Sequence, residues 1–133
     1  MVEVVELSIT PTGGYAGVYK VDIRGSGFVP NQTVYWRLRG EDPGSEDFIS
    51  APSGGGVVGP DGTFFFTDSA TGANLNEDWG GQDEVFADVY YTYVGGSHHK
   101  SNTIKRNFWI PIAAAMIKWS MPQFPESARL VRS

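Results

Sequence analysis

Apolar and polar positions alternate along much of the first 110 residues. Tyr19, Val21 and Ile23 alternate with Lys20, Asp22 and Arg24, the period of two expected of a strand with one dry and one wet face. The same alternation returns at Val34, Trp36 and Leu38, which put Tyr35, Arg37 and Arg39 on the opposite face. It is longest from Val85 to Tyr93: Val85, Ala87, Val89, Tyr91 and Tyr93 form one set, Phe86, Asp88, Tyr90 and Thr92 the other. Val4–Ile9 reads as a first strand, Phe48–Ser50 as a short edge strand, and Asn102–Ile110 as a last strand. Turn residues separate these runs. Val57–Phe66, with Pro60-Asp61-Gly62 in the middle, reads as a hairpin, because proline presets the turn and Asp-Gly supplies its left-handed position. Residues 68–83 form a long polar loop.

Seven or eight short strands without a long amphipathic helix predict an all-β fold, an immunoglobulin-like antiparallel sandwich over residues 1–110. From Pro111 the character changes: Ile112–Trp119 is apolar and Ser127–Ser133 reads as loose, so residues 111–133 read as an apolar-then-polar C-terminal tail, packed on the sandwich or partly disordered.

Composition narrows the function. With 41% hydrophobic and 19% charged residues in a chain of 133, one folded domain with one core is expected. The net charge of −5 argues against a general nucleic-acid binder, which needs clustered Lys and Arg. Without cysteine there is no disulfide, thiol catalysis or Cys-based zinc site. The start, Met1-Val2-Glu3-Val4-Val5-Glu6, lacks the basic and apolar regions of a signal peptide. Phe108–Ile117 is the longest apolar stretch, well short of the roughly 20 residues of a membrane-spanning helix.

The run Val18–Val34 resembles the second and third strands of bacterial immunoglobulin-like modules, in which an alternating strand leads through a Gly-x-Gly-Phe-x-Pro turn, here Gly25-Ser26-Gly27-Phe28-Val29-Pro30, into the next strand. Pro60–Phe64 is similar to their middle hairpin, and an inward Trp36 resembles the core Trp of immunoglobulin domains. Neocarzinostatin-like proteins share the plan, but they carry disulfides where this chain has no cysteine, so enediyne binding is not carried over. The resemblance implies a binding or structural module and favours an extracellular or surface location. Without a disulfide, Trp36 is expected to pack on Phe64, Phe66 and Tyr91.

If Val34, Trp36 and Leu38 point inward, one sheet face gathers Tyr35, Arg37, Phe86, Tyr90 and Trp109. Flat rings with polar tips suit a sugar face or a protein partner. These are the candidate ligand-binding residues of a non-enzymatic module. Arg106 falls on the inward set with Ile104 and Phe108, which suggests a bulge nearby. A second candidate is calcium held by acidic loops, with Glu41, Asp42, Asp47, Asp78 and Asp83 as carboxylate ligands; a calcium-dependent or hydrolytic domain is the corresponding alternative. His98-His99, adjacent on an extended chain, would point to opposite faces and chelate one metal poorly, and reads as an exposed loop pair. No Gly-x-Ser-x-Gly elbow is present, and Gly54-Gly55-Gly56 does not lead into a helix as a phosphate loop would. A further alternative is a structural assembly module whose tail joins copies into a homo-oligomer.

Overall fold

The structure is a computed structural model and describes residues 2–12, 17–42, 45–76 and 83–108; the side chains of residues 41, 42, 45–48 and 50 lie outside that description. Trp109 and the tail from residue 110 also lie outside it.

The alternating segments form β1 (Val4–Pro11), β2 (Val18–Ser26), β3 (Thr33–Asp42), β4 (Ser45–Val57), β5 (Phe64–Thr71), β6 (Asp83–Tyr91), β7 (His98–Lys100) and β8 (Ile104–Arg106). Between β5 and β6 sits one helical turn, α1 (Gly72–Leu75). Thr71 caps it by accepting from the Asn74 amide at 3.1 Å, and its Leu75 is buried in the core. The strands pair antiparallel in two sheets. One has the order β1-β2-β5; the other has the order β4-β3-β6-β7, with β8 also on β6.

The inward sets of β2, β3 and β6 are those read from the alternation, and β1 adds a set not assigned from the sequence. Val5, Leu7 and Ile9 of β1, Tyr19, Val21 and Ile23 of β2, Val34, Trp36 and Leu38 of β3, and Val85, Ala87, Val89 and Tyr91 of β6 are all buried in one core. Trp36 shares that core with Phe64 and Tyr91, and Phe66 packs against it. Its indole lies over Gly54, where a Cβ would come within 2.9 Å of Nε1. Tyr93 departs from its expected set: it lies beyond the end of β6, half exposed, with its ring stacked on Tyr91 at 5.2 Å.

Three local readings are corrected. The Pro60-Asp61-Gly62 turn is not a hairpin but a corner, since β4 and β5 belong to different sheets. The turn chemistry is as expected: Gly62 has φ +81°, and Asp61 Oδ1 accepts from the Thr63 hydroxyl at 2.7 Å and the Thr63 amide at 3.1 Å. Those bonds, the hydroxyl's first, hold the Asp61 carboxyl below its usual pKa. The corner locks onto the β2–β3 turn through backbone bonds from Phe28 N to Gly62 O (3.1 Å), Asn31 N to Val58 O (2.9 Å) and Val58 N to Gln32 O (2.9 Å).

The short edge strand at 48–50 is part of the 13-residue β4, which takes in the glycine run. The last strand is split in two. Asp88 pairs with Lys100 and Val85 with Ile104, so two residues of β6 face three of the other strand, which is a bulge. It falls at residues 101–103, ahead of Arg106, whose register with Asp83 is regular. Ser101 fills the gap: its Oγ accepts from the Ala87 amide at 2.8 Å and its own amide donates to Ala87 O at 2.9 Å. Asn102 is turned back to β1, accepting from Leu7 N at 2.7 Å and donating to Leu7 O at 3.0 Å.

Candidate binding face

Cross-strand register sets the outward face of the larger sheet in rows. Tyr35 pairs with Tyr90, which pairs with His98. One step along, Arg37 pairs with Asp88, which pairs with Lys100; beyond them Arg39 pairs with Phe86. Directly opposed side chains are within contact distance in such ladders, so each row is a physical unit.

The first row is aromatic. The Tyr35 and Tyr90 rings meet edge-on at 6.1 Å, and His98 stacks on Tyr90 at 4.7 Å with 17° between planes. Tyr35 is 50% exposed. On its other side it faces Gly55 of β4, where a Cβ would come within 2.2 Å of Tyr35 Cδ1. The three glycines divide the work: Gly54 makes room for Trp36 and Gly56 for Phe66, while Gly55 lets Tyr35 lie flat over the edge strand. The result is a shallow depression of about 330 Å3 lined by Tyr35, Ser53, Gly54, Gly55 and Tyr90. That volume is at the small end of ligand pockets.

The second row holds the first in place. Asp88 is only 4% exposed, and three cationic or protonatable groups surround it. Arg37 Nε lies 3.0 Å from its Oδ2, Arg39 Nη1 3.9 Å from the same oxygen, and His98 Nδ1 3.0 Å from Oδ1. The Arg37 guanidinium also sits 5.0 Å from the Tyr90 ring centre. Through Asp88, Arg37 and His98 fix the Tyr90 ring between them.

The expected platform is therefore partly assembled. Tyr35, Tyr90 and Arg37 come together as the alternation implies. Phe86 does point outward but is corrected as a contact residue: it is 3% exposed, with Lys100 Nζ 4.4 Å from its ring centre. Trp109 lies outside the described residues. Sequence reasoning missed Gly55 and His98; the Gly-run opposite an aromatic strand was the available signal.

The histidines are corrected too: both are on β7, not in a loop, and face opposite sides as adjacent strand residues must. His99 turns inward, edge-on to Phe28 at 5.2 Å and to Tyr91 at 5.9 Å. Ser97 Oγ at 2.8 Å and Glu3 Oε2 at 3.3 Å both approach its Nε2. A proton relay needs the two ring nitrogens on different partners, so this trio cannot act as one. His98 has a carboxylate on Nδ1, but among the described residues no hydroxyl hydrogen-bonds to it.

Of the acidic candidates, Glu41 and Asp42 end β3 and Asp47 lies in β4, with side chains outside the description, as is Asp78 altogether. Asp83 is not in a loop but on the inward row of β6, 1% exposed and in register with Arg106. Among the described residues no three His, Asp or Glu side chains are grouped to hold a metal ion. Among them, too, no helix is long and apolar enough to cross a membrane.

No protein-family model matches the chain, and no curated protein is similar to it. A solved structure of macromomycin is similar at a TM-score of 0.43, with 10% identity over 74% of this chain and 97% of that one. A likeness that loose leaves the ligand to the geometry of the sheet face.

Proposed function

We propose that this chain is a non-enzymatic binding module that takes a saccharide unit in the depression beside Tyr35. One observation carries the reading: the half-exposed Tyr35, edge-on to the partly buried Tyr90, borders a floor of Ser53, Gly54 and Gly55. A pyranose has an apolar face and a polar rim. Tyrosine rings offer area for the first and hydroxyls for the second, at little entropic cost when they are already fixed. The strand order β1-β2-β5 against β4-β3-β6-β7 supports reading the sandwich as immunoglobulin-like, with this face on the sheet that holds the third and last strands.

The test is a screen of immobilised glycans with the full chain, repeated with Tyr35→Ala and Tyr90→Ala. Binding that both variants lose while their melting temperatures hold supports the reading. A glycan bound equally by the variants, or no glycan bound by any protein, overturns it.

A further inference from the structure

Each sheet edge among the described residues carries a guard against pairing, with one stretch of β4 left open. The edge of β1 is capped by the Asn102 carboxamide at Leu7. On β5, Asp68 puts a charge on the inward set with Phe64, Phe66 and Ala70, and its Oδ1 takes the Ser69 amide at 2.7 Å. The far edge of the larger sheet is broken by the bulge at residues 101–103. The first part of β4 is irregular too: Ile49–Pro52 lie between the pairs Arg39–Phe48 and Arg37–Ser53, and Pro52 has no N–H to offer. Inward charges, bulges and proline are the devices that keep a free edge from pairing with another chain. Ser53-Gly54-Gly55-Gly56-Val57 has none of them. It runs in regular register with Thr33–Arg37, no strand among the described residues pairs with its other side, and Val57 is 62% exposed.

We propose that two copies of this chain join edge to edge here, Ser53–Val57 of one running antiparallel to the same residues of the other across a two-fold axis at Gly55. A row of unpaired backbone N–H and C=O groups is met in full only by another extended chain. Two features make a second copy the fitting occupant. The segment carries no charge, so pairing it with itself sets no like charges opposite each other, in a protein of net charge −5. The register about Gly55 also places Ser53 opposite Val57 and Gly54 opposite Gly56, and keeps both Pro52 residues outside the ladder. The two larger sheets then become one. Their Tyr35 rings stand on the same face, three strand spacings or roughly 14 Å apart. Only Gly55 of each copy lies between them. Where the saccharide reading holds, the dimer is the binding unit, and its ligand is an oligosaccharide long enough to reach both depressions.

The experiment is sedimentation velocity of the full chain over a concentration series, expected to show twice the chain mass at the high end and the single chain at the low end. Val57→Lys, which sets a charge in the joint, should stay a single chain throughout with an unchanged circular-dichroism spectrum. In the parent protein, hydrogen exchange at the amides of residues 53–57 should slow as concentration rises, which tests the location without any variant. A parent that stays single at every concentration overturns the proposal. A dimer with no slowing at 53–57, or one that folded Val57→Lys still forms, puts the contact elsewhere and overturns it too. All of these leave the saccharide reading standing. Conversely, a dimer of the expected kind that binds no glycan overturns the saccharide reading and leaves the joint. Where glycans do bind, a preference for long over short chains that Val57→Lys loses supports the joined face, and the same preference kept by the variant overturns it.

Discussion

Asn102 is the best place to test whether the bulge is structural or incidental. Its carboxamide stands in for a strand residue on the edge of β1, accepting from Leu7 N at 2.7 Å and donating to Leu7 O at 3.0 Å. Leu7 is buried at 4% exposure, so its backbone groups have little water to turn to. Asn102→Ala removes both bonds. At a net 0.5–1.5 kcal/mol for each, the loss should be about 1–3 kcal/mol. For a chain of this length 1 kcal/mol corresponds to about 4 °C in Tm, so a drop of about 4–12 °C is expected. Asn102→Asp should do no better at neutral pH, since a carboxylate cannot donate to Leu7 O and would lie against it. Asn107→Ala, at an exposed position nearby, is the control and should stay within about 0.5 kcal/mol of the parent. Urea and thermal unfolding of the four proteins decide it. If Asn102→Ala matches the Asn107 control, water replaces the amide and the argument from Leu7 fails.

Gly55→Ala should lower Tm, because its Cβ would meet Tyr35 Cδ1 at 2.2 Å and the Val34 carbonyl oxygen at 2.8 Å, and ligand binding should fall with the displaced ring, read by NMR shifts of Tyr35; an unchanged Tm and unchanged shifts would refute the close approach. Asp88→Asn should cost about 1–3 kcal/mol in urea unfolding, since Arg37 and His98 lose a charged partner while staying partly hydrated, and it should loosen Tyr90 against His98; an unchanged midpoint would show the cluster to be ornamental. Burial raises the Tyr91 pKa, with the Glu3 charge adding and the Val29 amide opposing, so the folded value lies above the unfolded 10.0. The stability tied to its neutral hydroxyl is thus present below about pH 10 and lost as pH climbs through the folded value; melts of Tyr91→Phe in that range should show a shallower alkaline decline than the parent.

The core was legible in β2, β3 and β6 because alternation reports which side of a strand a residue takes, and the inward residues of those strands follow from it. Alternation does not report what lies on top. Phe86 takes the expected side, yet the Lys100 stem and head cover it, a snorkelling arrangement that depends on a strand 14 residues away. Turn chemistry was legible in the same limited way. Pro60-Asp61-Gly62 demands a tight turn with one left-handed residue, but a hairpin and an inter-sheet corner make the same local demand. Gly54-Gly55-Gly56 misled for a third reason: glycine is a poor strand former alone, and here Trp36, Tyr35 and Phe66 from neighbouring elements supply the missing side-chain mass. The bulge was anticipated from Arg106 but sits at Ser101–Thr103, because Ser101 and Asn102 can replace strand bonds with side-chain ones. Within the site, the rows Tyr35–Tyr90 and Arg37–Asp88 were readable; His98 was not, since the three-residue β7 is too short to show a period.

The locked turns decide where this scaffold can change length. The chain passes between the sheets at both the β2–β3 turn and the β4–β5 corner, and three backbone hydrogen bonds tie the two passages together. A residue inserted into either would have to break the other, so the two must drift together or stay as they are. The Thr92–Ser97 turn at the same end is tied at Thr92, which donates to Thr33 O, but its tip is less constrained: Gly95 has open space around it and Val94 is fully exposed. Loop grafting and natural length variation should collect there, next to the tyrosine row, where new residues could reshape what is bound without disturbing the joint between the sheets.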